Sequence, residues 1–309
     1  MAEWIFFLLT LVGLSLFEIV SSIDNAVINA DVLSTMSKKA RRWFLIWGML
    51  FAVFVVRGAL PFAIVFMLNP SLGFFGVFNA TLSGDAAVIA AIEASAPPLL
   101  IAGGTFHIFL FFHWLFMEPK NYGLWGEKYF QRRSVWFYAI VSVLLSLIIW
   151  FSIKVNPAMA FGAAMGSTAF FITHGFKQNA EQKERELLKG NMSDWAKIAY
   201  LEVIDTTFSI DGVLGAFAFT LFVPLILLGN GIGAIVVRQI TVSNIENVKK
   251  YKYLKNGAMY SVAFLGAIMV MDAFGAHIPA FVSPIVTVLI IAWFFLKSRR
   301  ELKLQEAKK

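Results

Sequence analysis

The sequence contains no cysteine, which excludes disulfides, thiolate metal sites and thiol redox chemistry. Charge is scarce: only 15% of the 309 residues are Asp, Glu, Lys or Arg, and they gather in short clusters between long apolar runs. Phosphate-binding loops, nucleophile–histidine pairs and a soluble domain are also missing, so the chain does not read as an enzyme. The N-terminus lacks a basic region before its apolar run and therefore reads as a first membrane span, not a cleaved signal. What is present is hydrophobic: 59% of the residues, a mean hydropathy of +0.74, and 32 phenylalanines. This is the composition of an all-α polytopic membrane protein, with the lipid bilayer as its first partner. The net charge of +7 falls in loops, where the positive-inside rule accounts for it, so it does not point to nucleic acid.

A span needs about 20 largely apolar residues. Nine stretches qualify as expectations: 4–33 (long, and expected to be broken), 43–68, 98–117, 135–153, 157–174, 196–221, 223–242, 257–275 and 279–297. Basic clusters at 37–42, 118–134, 175–195, 243–256 and after Phe295 alternate with connections nearly free of Lys and Arg. Nine spans in a cell (inner) membrane, N-terminus outside and C-terminus cytoplasmic, put every basic cluster inside. An eight-span count would break this alternation. The acidic segment 69–97, with Asp85 and Glu93, is expected outside, with a short surface helix over "GDAAVIAAIEAS". The charged segment 177–195 reads as a cytoplasmic linker. The implied division is 1–153 for a first membrane half, 154–195 for a connecting span and linker, and 196–309 for a second, inverted half with a basic tail.

The sharpest signal is a repeat. "EIVSSID" at 18–24 returns as "DTTFSID" at 205–211: a carboxylate, three residues, then Ser-Ile-Asp. Asn25 follows the first copy and Gly212 the second, and an arginine stands on each following span, Arg57 in "VVRG" and Arg238 in "VVRQ". The first copy lies on a span running inward and the second on one running outward. That is an inverted-topology repeat, in which a transport site sits at the midplane between the halves. Glu18 and Ser22 share a helix face, as do Asp205 and Ser209. Asp24 is six residues past Glu18, about 600° of turn and so about 120° off that face. A straight helix would not aim both carboxylates at one point, and the motif helices are expected to break near Asp24 and Asp211, freeing carbonyl oxygens where they line a cavity.

An intramembrane charge costs at least ~3 kcal/mol on insertion scales, so the repeat calls for a compensating partner. Glu18, Asp24, Asp205 and Asp211, with Ser22, Asn25 and Ser209, form a hard-oxygen set that suits Mn²⁺, Ca²⁺ or Mg²⁺. Against Arg57 and Arg238 the four carboxylates leave a charge of −2, which one divalent cation neutralises. When the cation leaves, crowded carboxylates take up protons, a basis for metal/proton exchange. The competing view is that carboxylates and arginines only hold helices together, but buried pairs are poor stabilisers, and a mirrored duplication favours a site. Asp272 lies within the eighth span as a proton-relay group or a partner of Arg57, and Glu202 stands one turn nearer the cytoplasm than Asp205. His107 is a possible proton carrier, with helix packing as the simpler role; His113, six residues on, faces elsewhere. Gly103–Gly104 and "GNGIG" (229–233) read as close-packing surfaces.

The quoted residues resemble the TerC integral membrane family, of the lysine-exporter-like superfamily. Glu18-x-x-x-Ser22-x-Asp24-Asn25 resembles its first signature. "FSIDGVLGAFAFT" (208–220) with "LLGNGIGAIVVR" (227–238), including Asn230 and Arg238, resembles its second, and "GGTFHIFLFFHWLFME" (103–118) a third. The likeness covers most of the chain and is nearest the branch without an assigned function. It implies efflux of metal ions, manganese above all; beside it, Arg57, Arg238, Asn230 and Asp272 read as charge-balancing or gating residues, and no permanently bound cofactor is expected. The sequence departs from the pattern at Gly212, where a polar residue often stands. Two other classes compete: a non-transporting factor that aids insertion or maturation of membrane proteins, and a small-molecule exporter. Neither needs four mirrored carboxylates.

Overall fold

A computed structural model describes residues 2–48, 50–68, 73–76, 96–189, 192–243 and 250–306. The described chain is helical, with no strand among these residues. The helices are α1 (Ala2–Ser21), α2 (Ile23–Ser34), α3 (Lys38–Trp43), α4 (Arg57–Leu68), α5 (Ala96–Phe116), α6 (Glu127–Gln131), α7 (Trp136–Val155), α8 (Pro157–Lys189), α9 (Asp194–Ala216), α10 (Val223–Ser243), α11 (Leu254–Ala273) and α12 (Val282–Glu306). Two π-helical stretches, Phe44–Gly48 and Phe51–Val56, lie between α3 and α4.

Six of the described helices are long and apolar enough to cross a membrane: α1, α5, α7, α10, α11 and α12. The difference from nine has physical causes. The first apolar run is divided at Ser22, and the second is interrupted by π-helical turns. Helix α9 carries Asp194, Lys197, Glu202, Asp205 and Asp211 in its length, so the carboxylates that single it out also remove it from a hydropathy count. Helix α8 runs on through the segment expected to be a linker, as far as Lys189. Its Ala, Glu, Gln, Lys and Leu residues are good helix formers, and helix propensity continues where hydropathy stops. The expected surface helix with Asp85 and Glu93 lies outside the described residues.

The expected break in the first motif is present but displaced. It falls at Ser22, with φ −88° and ψ 3°, two residues before Asp24. Helical hydrogen bonds continue across it: Ser22 N donates to Glu18 O at 3.1 Å and Ala26 N to Ser22 O at 2.9 Å. The second motif does not break, because α9 passes through Asp211 and Gly212 and ends at Ala216. The unwound carbonyls expected at both motifs are therefore not found.

Glycines set the core packing. A Cβ on Gly104 would stand 2.7 Å from Val270 Cγ2 and 2.9 Å from Gly266 O, so α5 and α11 meet almost backbone to backbone. A Cβ on Gly229 would stand 2.6 Å from Leu14 Cβ, and one on Gly233 2.6 Å from Glu18 Cβ. That pair, four residues apart on α10, seats α1. The largest apolar core gathers around these crossings, with Phe17, Phe106, Phe109, Trp114, Phe170 and Ile226 among its buried side chains.

Candidate functional site

Where α1, α2, α4, α9 and α10 converge, a cavity of about 50 Å³ is lined by Glu18, Ser22, Asn25, Asn29, Arg57, Asp205 and Arg238, together with apolar side chains. A single water needs about 10–15 Å³ by the same kind of measure, so the space admits a small ion with a few waters.

Glu18 lies at the centre and is 1% exposed. Its Oε1 accepts from Arg57 at 2.7 Å and from Ser22 Oγ at 2.9 Å. Its Oε2 has no hydrogen-bond partner. That oxygen faces α9 at Gly212, where an added Cβ would lie 2.7 Å from it. Behind Glu18, Gly233 leaves room for its Cβ and Cγ. One carboxylate is thus wedged between two helices at two glycines. Arg57, 5% exposed, enters from the first residue of α4, directly after the π-helical stretch. The wider π turn ends where the guanidinium must reach α1, as π-bulges often do at sites.

Asp205, 8% exposed, belongs to the second motif. Its Oδ1 accepts from Asn29 Nδ2 at 3.0 Å and from Asn25 Nδ2. The amide oxygens of Asn25 and Asn29 are buried without hydrogen-bond partners. The cavity wall therefore carries three buried oxygens without donors: Glu18 Oε2, Asn25 Oδ1 and Asn29 Oδ1.

Of the residues singled out from the sequence, Glu18, Ser22, Asn25, Asp205, Arg57 and Arg238 are brought to this cavity. The Asp24 side chain lies outside the described residues. Ser209 is fully buried and donates to the carbonyl of Asp205 at 2.5 Å, away from the cavity. Asp211 does not line the cavity, although its neighbour Gly212 abuts Glu18. Among the described residues the lining holds two carboxylates and two guanidiniums, a formally neutral set, where the sequence count over four carboxylates came to −2. Among the described residues no group of three or more His, Asp or Glu is placed to hold a metal ion.

Asn230 is 1% exposed and neither side-chain polar atom has a hydrogen-bond partner. It lies one turn before Ala234, on the α10 face that lines the cavity at Ala234, Val237, Arg238 and Thr241. Asp272 sits elsewhere, accepting from Ile278 N at 2.6 Å in the turn after α11, while Arg57 pairs with Glu18. His107 is fully buried in the helix core, its Nδ1 2.7 Å from Gly103 O and its ring packed on Phe17 and Phe106.

Two elements escaped the sequence reading. Asn29 repeats Asn25 four residues on, a same-face spacing that could have been noticed. Glu127, 1% exposed, is a buried anchor at the first residue of α6: it accepts from Gly123 N at 2.7 Å, Asn256 Nδ2 at 3.0 Å and Tyr260 OH at 3.0 Å. Nothing short of the fold brings those donors together.

The sequence model of the family described as "Protein of unknown function (DUF475)" matches residues 23–305. An "Uncharacterized membrane protein YceF" of Bacillus subtilis (strain 168) is 24% identical over 184 residues, which cover 57% of this chain and 65% of that protein. No solved structure matches. A match over nearly the whole chain, with six helices apolar enough to span a bilayer, makes this an integral membrane protein that belongs to the DUF475 family.

Proposed function

We propose that the protein exports a divalent metal cation, manganese first, through the Glu18–Asp205 cavity, by exchange with protons or driven by the membrane potential. The observation that carries this reading is the lining itself. Carboxylates from the two mirrored motifs face one buried space with three oxygens that lack donors. Such oxygens are costly to bury unsatisfied, and a hard cation is the partner that suits them. In this reading Arg57 is the resident counter-ion of Glu18. A metal ion enters as Arg57 withdraws, and the site becomes neutral again when Arg57 or protons return. Arg238 stands in the same lining as the second positive charge, and Asn230 marks the continuation of the path along α10. Asp24 and Asp211, neither of them in the described lining, would have to join it as the metal enters to take its charge towards −2. Calcium and magnesium share the ligand preference and are the alternatives to test.

The inverted repeat belongs to the same proposal, with nine spans, the N-terminus outside and the C-terminus in the cytoplasm. Helix packing supports it. The third and eighth spans, α5 and α11, would be equivalents, and they are the most extensive pair. The first span packs on the seventh, and the sixth on the second, as a two-fold axis in the membrane plane requires. Likeness to the TerC signatures points the same way on substrate.

The test is metal transport. Asp24→Asn, Asp205→Asn and Asp211→Asn each keep volume and remove one charge. Each variant should reach the membrane yet fail to protect cells from excess manganese, and should take up no manganese in inverted vesicles. Full protection by all three would overturn the reading and favour a non-transporting membrane factor.

A further inference from the structure

A second cavity, of about 360 Å³, lies between α8, α9 and the π-helical turn at Phe51, and shares no lining residue with the first. Its walls are Phe51, Ile172, Phe176, Val203 and Ile210, with two threonines and Glu202. The volume is that of a small-molecule pocket. Phe51, Ile172, Phe176 and Val203 are 47–59% exposed on the outer face of the bundle, so in a bilayer the pocket opens sideways to lipid. Both carboxylate oxygens of Glu202 are buried without hydrogen-bond partners. Oε1 is tucked against Gly48, where a Cβ would stand only 2.2 Å away.

The chemistry of the wall selects the ligand. Thr206 donates to the Glu202 carbonyl at 2.7 Å, and Thr173 to the carbonyls of Ala169 and Phe170 at 2.9 and 3.1 Å. With both hydroxyls turned to their own helices, one carboxylate remains, too few oxygens for a hard divalent ion. An apolar pocket with a single carboxylate and two phenylalanine rings suits a weakly hydrated cation carrying hydrocarbon, held by charge and by cation–π contact. A phospholipid amine fits poorly, since its phosphate would face Glu202. Moreover Trp195, 65% exposed and edge-on to Trp43 at 5.2 Å, marks the aromatic belt. Glu202 lies seven residues further along α9, about 10 Å deeper. We propose that this lateral pocket binds a lipophilic organic cation, with Glu202 as its counter-charge.

The probe is tetraphenylphosphonium, titrated into the full-length protein in lipid nanodiscs, with tetraphenylborate as an anion of the same shape. Saturable phosphonium binding is expected, weakened at least about tenfold in Glu202→Gln and in Ile172→Trp, which fills the pocket from its lipid side. Tetraphenylborate should not saturate. Gel filtration of both variants at the wild-type volume shows that they fold, and Ile172→Trp carries the test if Glu202→Gln does not. Phosphonium binding indifferent to both variants, equal binding of the borate, or displacement by Mn²⁺ without sensitivity to Glu202→Gln would overturn the assignment. None of these results bears on manganese export, which the aspartate variants test separately.

Discussion

Arg57→Met isolates the ion pair at the heart of the cavity. Glu18 and Arg57 are 1% and 5% exposed and meet at 2.7 Å. Once Arg57 is gone, Ser22 Oγ at 2.9 Å remains as the hydrogen-bond donor to Glu18, and Oε2 has none. Removing one partner of a buried pair costs about 3–5 kcal/mol, because the other charge stays behind uncompensated. Removing both charges often costs little, so the double variant Arg57→Met/Glu18→Gln should fall within about 1 kcal/mol of the wild type. The single variant should therefore lie at least about 2 kcal/mol below the double. The nine tryptophans provide the readout, through intrinsic fluorescence during thermal unfolding in detergent. A loss of about 3 kcal/mol corresponds to a midpoint roughly 5 °C lower, because the unfolding entropy that divides it grows with chain length. The reasoning is refuted if Arg57→Met melts with the wild type, or if the double variant melts below the single one. Either result would mean that Glu18 is not held as a buried anion by Arg57, and the proposed exchange of guanidinium for metal would lose its basis.

Other consequences are open to the same assays. Gly233→Ala places a Cβ 2.9 Å from the backbone oxygen of Ser15, which cannot give way as a side-chain tip can; a loss of about 1–3 kcal/mol and of manganese protection is expected. Glu127→Ala strips a buried acceptor from Gly123, Asn256 and Tyr260 and should cost at least about 2 kcal/mol, read as a lower melting midpoint, with transport retained in the molecules that stay folded. Lys120, in the loop after α5, has its amine pushed down to about 8 by burial, against the pull of Glu127 and Glu118. The unfolded chain therefore binds the extra proton between about pH 8 and 10.5, and stability should rise with pH across that window and stop rising in Lys120→Met. A wild-type pH profile that matches the variant's would refute it.

Much of the bundle was legible because lipid imposes a simple code of length and hydropathy, and the six apolar helices obey it. Failures cluster where another principle takes over. The run from 157 was expected to stop near 174, yet α8 continues to Lys189, because polar helix formers carry the helix beyond the apolar stretch. The break in the first motif was expected near Asp24 and lies at Ser22, while the second motif does not break at all. The expected breaks fall beside Asn25 and Gly212, where a helix read along its own length has no use for either residue. Both are used laterally instead: the Asn25 amide reaches across to Asp205, and Gly212 receives the carboxylate of Glu18.

Gly212 shows why a repeat can be visible in sequence while its site is not. Strict symmetry would place a polar residue there, opposite Asn25. The two motif helices approach so closely at this level that Glu18 Oε2 already occupies the space a Cβ would need, 2.7 Å away. Only one half can supply the side chain, and the other must supply the gap. On α10, Gly233 makes the same concession to the Cβ and Cγ of that glutamate. A glutamate flanked by glycines on two other helices leaves no periodic signal in a single sequence, since the three positions are 18, 212 and 233. Their relation is one of packing, and packing fixes which mirrored carboxylate sits at the centre. Glu18 has both glycines and Arg57, whereas Asp205 is held by Asn25 and Asn29 across the helix interface. The two halves therefore present unequal carboxylates to one cavity, one bound to a guanidinium and one to neutral amides. An arriving cation meets less competition at Asp205, where it displaces no charge, and more at Glu18, where Arg57 must leave first. The order of engagement, Asp205 before Glu18, follows from that asymmetry. In Asp205→Asn, weak binding should be lost altogether, while Glu18→Gln should retain a weak first contact, a difference that manganese titration of the two purified variants resolves. Equal loss in both would remove the asymmetry from the mechanism.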